Sequence, residues 1–109
     1  MKDVDTNITQ EELEEYLDKI FVYMKDLLLK KNRSYRGASF QGGKMALIGN
    51  SVRLQDKENR YLHLIENMID TGEAGKEFGE SIIDTQRDIF GYACIGMIIA
   101  NKLGLGDVN

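Results

Sequence analysis

Glu80, Asp84 and Asp88 recur every four residues in the last third of the chain. On a helix that spacing stacks three carboxylates along one face. Like charges stacked this way repel, so something must offset them. A divalent cation is one answer, because hard oxygen ligands suit Mg²⁺, Mn²⁺ or Ca²⁺. Cationic side chains are another, with Arg87 beside them in sequence, and plain solvation is a third. Spacing alone leaves all three open.

A second charged group precedes it: Arg53, Asp56, Lys57 and Arg60, again on one helical face and opposite an apolar stripe. Such a face can hold phosphates, with arginine giving two-pronged contacts and lysine a point charge. It can equally be a solvated face laced by the local pairs Arg53–Asp56 and Asp56–Arg60, each worth about 0.2–0.5 kcal/mol. Upstream lies a stretch mixing cations with aromatics: Lys31, Asn32, Arg33, Tyr35, Arg36, Phe40 and Lys44, with glycines at 37, 42 and 43. It has no helical or strand period and reads as a loop. Tyr35 and Phe40 can stack on a base or anchor the loop to the body of the domain. Gly42-Gly43-Lys44 is not a phosphate-binding P-loop, since the upstream glycine and the following Ser or Thr are missing.

Other features carry less. Glu11, Glu12 and Glu15 copy the E-E-x-x-E string of all-α nucleoside triphosphate pyrophosphohydrolases. The second acidic pair does not follow, and carboxylates are favoured at a helix start anyway. His63, the single histidine, has no ligand-type neighbours and reads as a helix-surface residue. Cys94 lies in the most apolar run and reads as a small buried hydrophobe.

Three long helices must position these groups. Thr9 and Glu12 form a capping-box pattern, and Leu13, Leu17, Ile20, Met24, Leu27 and Leu28 follow at helical spacing to about Lys31. After the loop, Met45–Ile48 suggests one short turn, and a second helix starts with Asn50 or Ser51 as cap. Residues 70–79 read as a connector. The third helix runs from about Glu80 to Leu103, with Gly104 as its stop. Between Ile89 and Ile99 it is apolar nearly all round, which predicts the centre of the fold or of an oligomer. Ala93, Gly96 and Ala100 form a small-residue stripe where another helix can come close. The expected architecture is an all-α antiparallel bundle of three long helices, with an aromatic and basic loop between the first two, assembled as a homo-oligomer. The expected division is a leader over residues 1–8, one domain over 9–104 and a tail over 105–109.

Composition narrows the partners. The chain of 109 residues has no proline, which favours unbroken helices. One cysteine excludes an intrachain disulfide and points to a reducing cytoplasm. A net charge of −4 argues against bulk nucleic-acid binding. The polar first residues lack a signal-peptide core, and the run 89–100 is shorter than the ~20 residues that span a bilayer.

In order along the chain, three blocks resemble the nucleotide modification associated domain 1 family, small proteins of phages and of bacteria that carry them. The blocks are Lys31-Asn32-x-x-Tyr35 with Gly37 and Ser39-Phe40; Arg53-x-x-Asp56-Lys57-x-x-Arg60; and Glu80-Ser81-x-x-Asp84-Thr85-x-x-Asp88 with Tyr92-Ala93. The likeness covers roughly Phe21 to Leu103. Ser34 stands where the family carries an acidic residue, and Arg36 intervenes between tyrosine and glycine.

The resemblance implies a cytoplasmic nucleotide-binding protein of phage or prophage type. It would be linked to nucleotide modification or to sequestering a nucleotide signal against host defence. Lys31, Asn32, Tyr35, Phe40, Arg53, Asp56, Lys57 and Arg60 would meet the nucleotide between the second and third helices. Glu80, Asp84 and Asp88 would hold Mg²⁺ or Mn²⁺, or orient the basic groups. Two alternatives stand beside it. One is a Mg²⁺-dependent hydrolase of nucleoside phosphates, which the missing carboxylate at Ser34 argues against. The other is an interaction protein whose charged faces pair with each other or with a partner.

Overall fold

The structure, a computed structural model, describes residues 4–72 and 76–109. Met1–Asp3 of the expected leader and Glu73–Gly75 of the expected connector lie outside the described residues. The described residues form three long helices, α1 Gln10–Ser34, α2 Lys44–Thr71 and α3 Lys76–Lys102, with a 3-10 turn at Ala38–Phe40 between the first two. The described residues contain no strand.

α1 begins where the sequence says it should. The Thr9 hydroxyl accepts from the Glu12 backbone N–H at 3.1 Å, and the Glu12 carboxylate accepts from the Thr9 N–H at 3.2 Å. Two of the four unpaired donors at the helix start are thereby satisfied. The helix runs three residues past the expected Lys31, to Ser34. It ends where Arg36 and Gly37 both take positive φ, 52° and 71°, and the Gly37 N–H bonds back to the Asn32 carbonyl at 3.1 Å. That conformation is open to glycine and costly for Arg36. At the far end of the chain Gly104, with φ 77°, stops α3 as expected.

α2 departs from the expected short turn and cap. It is one unbroken helix from Lys44: Met45, Ala46 and Leu47 are good helix formers, no proline interrupts them, and the helix carries Gly49 inside it. Asn50 is not a cap. It is buried and donates its Nδ2–H to the Tyr92 carbonyl of α3 at 2.8 Å. Ser51 donates to the Ile48 carbonyl within the helix, at 2.7 Å. α3 likewise begins at Lys76, one turn before Glu80, and carries Gly79 inside it.

α2 and α3 form an antiparallel hairpin, and theirs is the extensive helix contact of the fold. The pairing runs in opposite directions along the two chains: Asn50 meets Tyr92 and Gly96, Lys57 meets Asp88, and Arg60 meets Thr85. Gly96 is the closest point. A Cβ there would stand 2.5 Å from the Asn50 Oδ1, so only glycine lets α2 seat at this level. The expected role of the small-residue stripe is met at Gly96, while Ala93 faces outward and Ala100 is half-buried.

α1 leans on α3 over a short stretch. Leu28 packs over buried Gly91, where an added Cβ would lie 3.1 Å from the Leu28 Cδ2. Phe21 and Phe90 stack at a tilt with centroids 6.1 Å apart. Met24, 3% exposed, is the buried anchor of α1. No helix among the described residues is long and apolar enough to cross a membrane.

Substituting Gly96→Ala drives a methyl group into the Asn50 amide and should destabilise the fold by about 1–3 kcal/mol, as overpacking of a tight contact does. Chemical denaturation of the two proteins checks it; an unchanged midpoint would mean that the α2–α3 seam is looser than its geometry.

Candidate functional site

The charges of α3 find partners on all three helices. Asp88 stands between two lysines: its Oδ2 lies 3.1 Å from the Lys57 Nζ on α2, and its Oδ1 lies 3.6 Å from the Lys31 Nζ at the end of α1. Asp84 pairs one turn back with Arg87 on its own helix, with Nη1 to Oδ1 3.0 Å. The Arg87 guanidinium in turn lies 4.2 Å over the Tyr23 ring of α1, a cation–π contact. Glu80 is exposed. The repulsion expected along the carboxylate face is therefore offset by cations. Among the described residues no three carboxylate, imidazole or thiol groups come together in an arrangement that could hold a metal ion.

The second cluster is turned towards α3. Lys57 is taken by Asp88, and the Arg60 Nε–H donates to the Thr85 hydroxyl at 3.3 Å. Thr85, 2% exposed, passes its own hydroxyl proton to the Ser81 carbonyl at 2.7 Å. Among the described residues there are three ion pairs, and neither Arg53–Asp56 nor Asp56–Arg60 is one of them.

The principal cleft lies between α1 and α3, capped by the loop, and not between α2 and α3. Its volume is about 590 Å³, within the usual range of small-molecule sites. Its floor is apolar: Met24, Leu27, Leu28, Gly91, Cys94, Ile95 and Ile98. Its mouth is polar and aromatic: Lys31, Asn32, Tyr35, Phe40, Arg53, Arg87 and Asp88. The fold thus brings Lys31, Asn32, Tyr35, Phe40 and Arg53 to one cavity, with Asp88 beside them. Asp56 and Arg60 line a separate, shallow depression along α2 with His63, and Lys57 sits behind Asp88.

Several lining residues were not singled out by their pattern. Arg87 was legible only as a neighbour of carboxylates, yet it joins the mouth to Tyr23. Gly91 is a small residue inside an apolar run, and that was the available sign of a close helix approach. Cys94 is half-buried on the cleft wall and not fully buried as expected. Partial burial raises its thiol pKa above the ordinary value, which keeps it protonated and poorly nucleophilic at neutral pH.

No known protein family model, curated protein or solved structure matches this chain.

Two outcomes follow from this geometry. Asp88→Asn should lower stability by about 0.5–1 kcal/mol at low ionic strength, because both ion pairs are partly exposed and screened. The loss should shrink at high salt, as read from denaturation midpoints. Alkylation of Cys94 by iodoacetamide at neutral pH should run slower than that of a free thiol in a peptide. It should speed up only as pH rises past the normal thiol range; rapid reaction at pH 7 would contradict the burial effect.

Proposed function

We propose that the chain binds a nucleotide or nucleotide-derived small molecule in the cleft between α1 and α3, as a binding or sequestering protein. The observation that carries this reading is the meeting of Lys31, Asn32, Tyr35, Phe40 and Arg53 at one mouth. Lys31, Asn32, Tyr35 and Phe40 follow one another at the end of α1 and in the loop, and α2 folds back to add Arg53. Aromatic rings beside cations suit a base and its phosphates. Arg53 takes part in none of the three ion pairs among the described residues, so its guanidinium is available for a phosphate. The ordered likeness to the nucleotide modification associated domain 1 family supports the same ligand class and a phage or prophage origin.

Binding without turnover is the form we favour. Asp84 and Asp88 already face cations, and Ser34 stands where the family carries a carboxylate. Hydrolysis assisted by Mg²⁺ would require Asp84 and Asp88 to leave these partners for a metal. One observation favours a second reading, a purely structural protein: Asp88 bound to Lys31 and Lys57 fastens three helices without any ligand.

A thermal-shift panel of nucleoside mono-, di- and triphosphates and cyclic nucleotides, with and without Mg²⁺, tests the proposal. A true ligand at a hundredfold excess over its Kd stabilises by about 2.7 kcal/mol. The shift should vanish in Arg53→Ala and in Tyr35→Ala, and chromatography should return the ligand intact. A Mg²⁺-dependent product would replace the binding reading with hydrolysis. No shift across the panel would leave the structural reading.

A further inference from the structure

Apolar residues of α1 at Leu13, Leu17, Ile20, Met24 and Leu27 alternate in steps of four and three. That is the spacing of a seam that packs along another helix. Within the chain only its second half is covered. Met24 is buried and Leu27 half-buried, whereas Leu17 and Ile20 stay 38% and 44% exposed and Leu13 is exposed as well. On the cleft side, Leu29 of α1 and Ile98 of α3 are also exposed, by 48% and 43%.

The amount of uncovered surface is large. The chain exposes 8727 Å², against roughly 6,100 Å² for a compact monomer of this mass. The difference of roughly 2,600 Å² is at least as large as what each partner of an obligate homodimer typically buries, about 1,000–2,500 Å². The radius of gyration is 16.5 Å, against about 13 Å for a compact domain of this length.

Charge on α1 selects the occupant. Its first ten residues carry Glu11, Glu12, Glu14, Glu15 and Asp18 against Lys19 alone. The remainder carries Lys25, Lys30, Lys31 and Arg33 against Asp26 alone. Two copies of α1 laid head to tail set acid on base; laid in the same direction they set acid on acid. Lys25, Lys30 and Arg33 do not line the cleft, so they are available to a partner while Lys31 remains on Asp88.

We infer that two copies of this chain exchange the first halves of α1 about a two-fold axis. Leu13, Leu17 and Ile20 of each copy cover the open apolar floor of the other's cleft near Leu29 and Ile98. The acidic half then runs beside the other copy's Lys30 and Arg33. The mouth, with Tyr35 and Arg53, stays open, and the second copy becomes one wall of the cavity. This inference does not rest on the nucleotide reading.

Sedimentation equilibrium of the whole chain should give twice the mass of 12.4 kDa. Leu17→Glu with Ile20→Glu should give the mass of one chain. A wild-type protein at single-chain mass up to high concentration, or a glutamate variant that still pairs, overturns the inference. If that variant fails to fold, Glu14→Lys with Glu15→Lys, both at exposed positions, should weaken pairing at least tenfold at low salt; an unchanged dissociation constant overturns the charge argument. Spin labels on Glu14→Cys, Val22→Cys or Lys30→Cys, each with Cys94→Ala, report direction. Head-to-tail exchange puts the shortest interchain distance at position 22 and longer ones at 14 and 30. Equal distances at all three would mean a parallel pair and sink the proposed exchange.

Discussion

Two helices have to come close to α3 from different sides, and two glycines make this possible. Leu28 of α1 seats over Gly91, and Asn50 of α2 seats over Gly96. Between these levels and the start of α3 stands Asp88, reached by Lys57 from α2 and Lys31 from α1. A larger side chain at either glycine would press on its neighbouring helix and lengthen the reach of Lys57 or Lys31 to that carboxylate. The close approach therefore comes first and the charge arrangement follows from it. The loop follows too, because the end of α1 fixes where Arg36 and Gly37 turn the chain towards Phe40.

Sequence periodicity made the three helices legible, and local chemistry made their ends partly so. Thr9 with Glu12 and Gly104 act at the expected places, since a cap depends on only a few neighbouring residues. Asn50 shows the limit of that reasoning. An asparagine near the start of a periodic run looks like a cap, but whether its amide turns to its own backbone or to another helix depends on what packs opposite. Here the opposite residue is Gly96, forty-six positions on in the sequence, and the amide goes to α3. The same reasoning covers the charged faces. Spacing placed Glu80, Asp84 and Asp88 on one side of α3, but not the cations that meet them. It grouped Arg53 with Lys57 and Arg60, while packing sends Arg53 to the cleft and the other two to the hairpin seam.

This division has a consequence for any anionic ligand. Lys31 is shared between the cleft mouth and Asp88, so a phosphate there must compete with a carboxylate already in place. Arg53 carries no such obligation. An anion would therefore be held first by Arg53, with Lys31 contributing only as far as Asp88 can be satisfied by Lys57 alone. The three-way contact would then link occupancy of the mouth to the hold of α1 on the hairpin, because the Lys31–Asp88 contact is one of the few polar ties between them.

That tie matters because the apolar hold of α1 on α3 is thin. Among the described residues only Met24, Ala46 and Ile99 are buried hydrophobics. A helix of 25 residues gives up on the order of 1–2 kcal/mol of backbone conformational entropy for each residue ordered. Most of a helix's stability in a protein comes from packing its amphipathic face, and α1 has one buried residue, Met24. The capping box at Thr9 fixes where α1 begins but adds only about 1 kcal/mol. Covering Leu13, Leu17 and Ile20 would add burial to the first half of α1. In this chain they stay 37%, 38% and 44% exposed. A contact that supplied the missing burial would complete the folding of α1 and the wall of the cleft in one step, so that assembly, stability and the shape of the cavity would share a single cause.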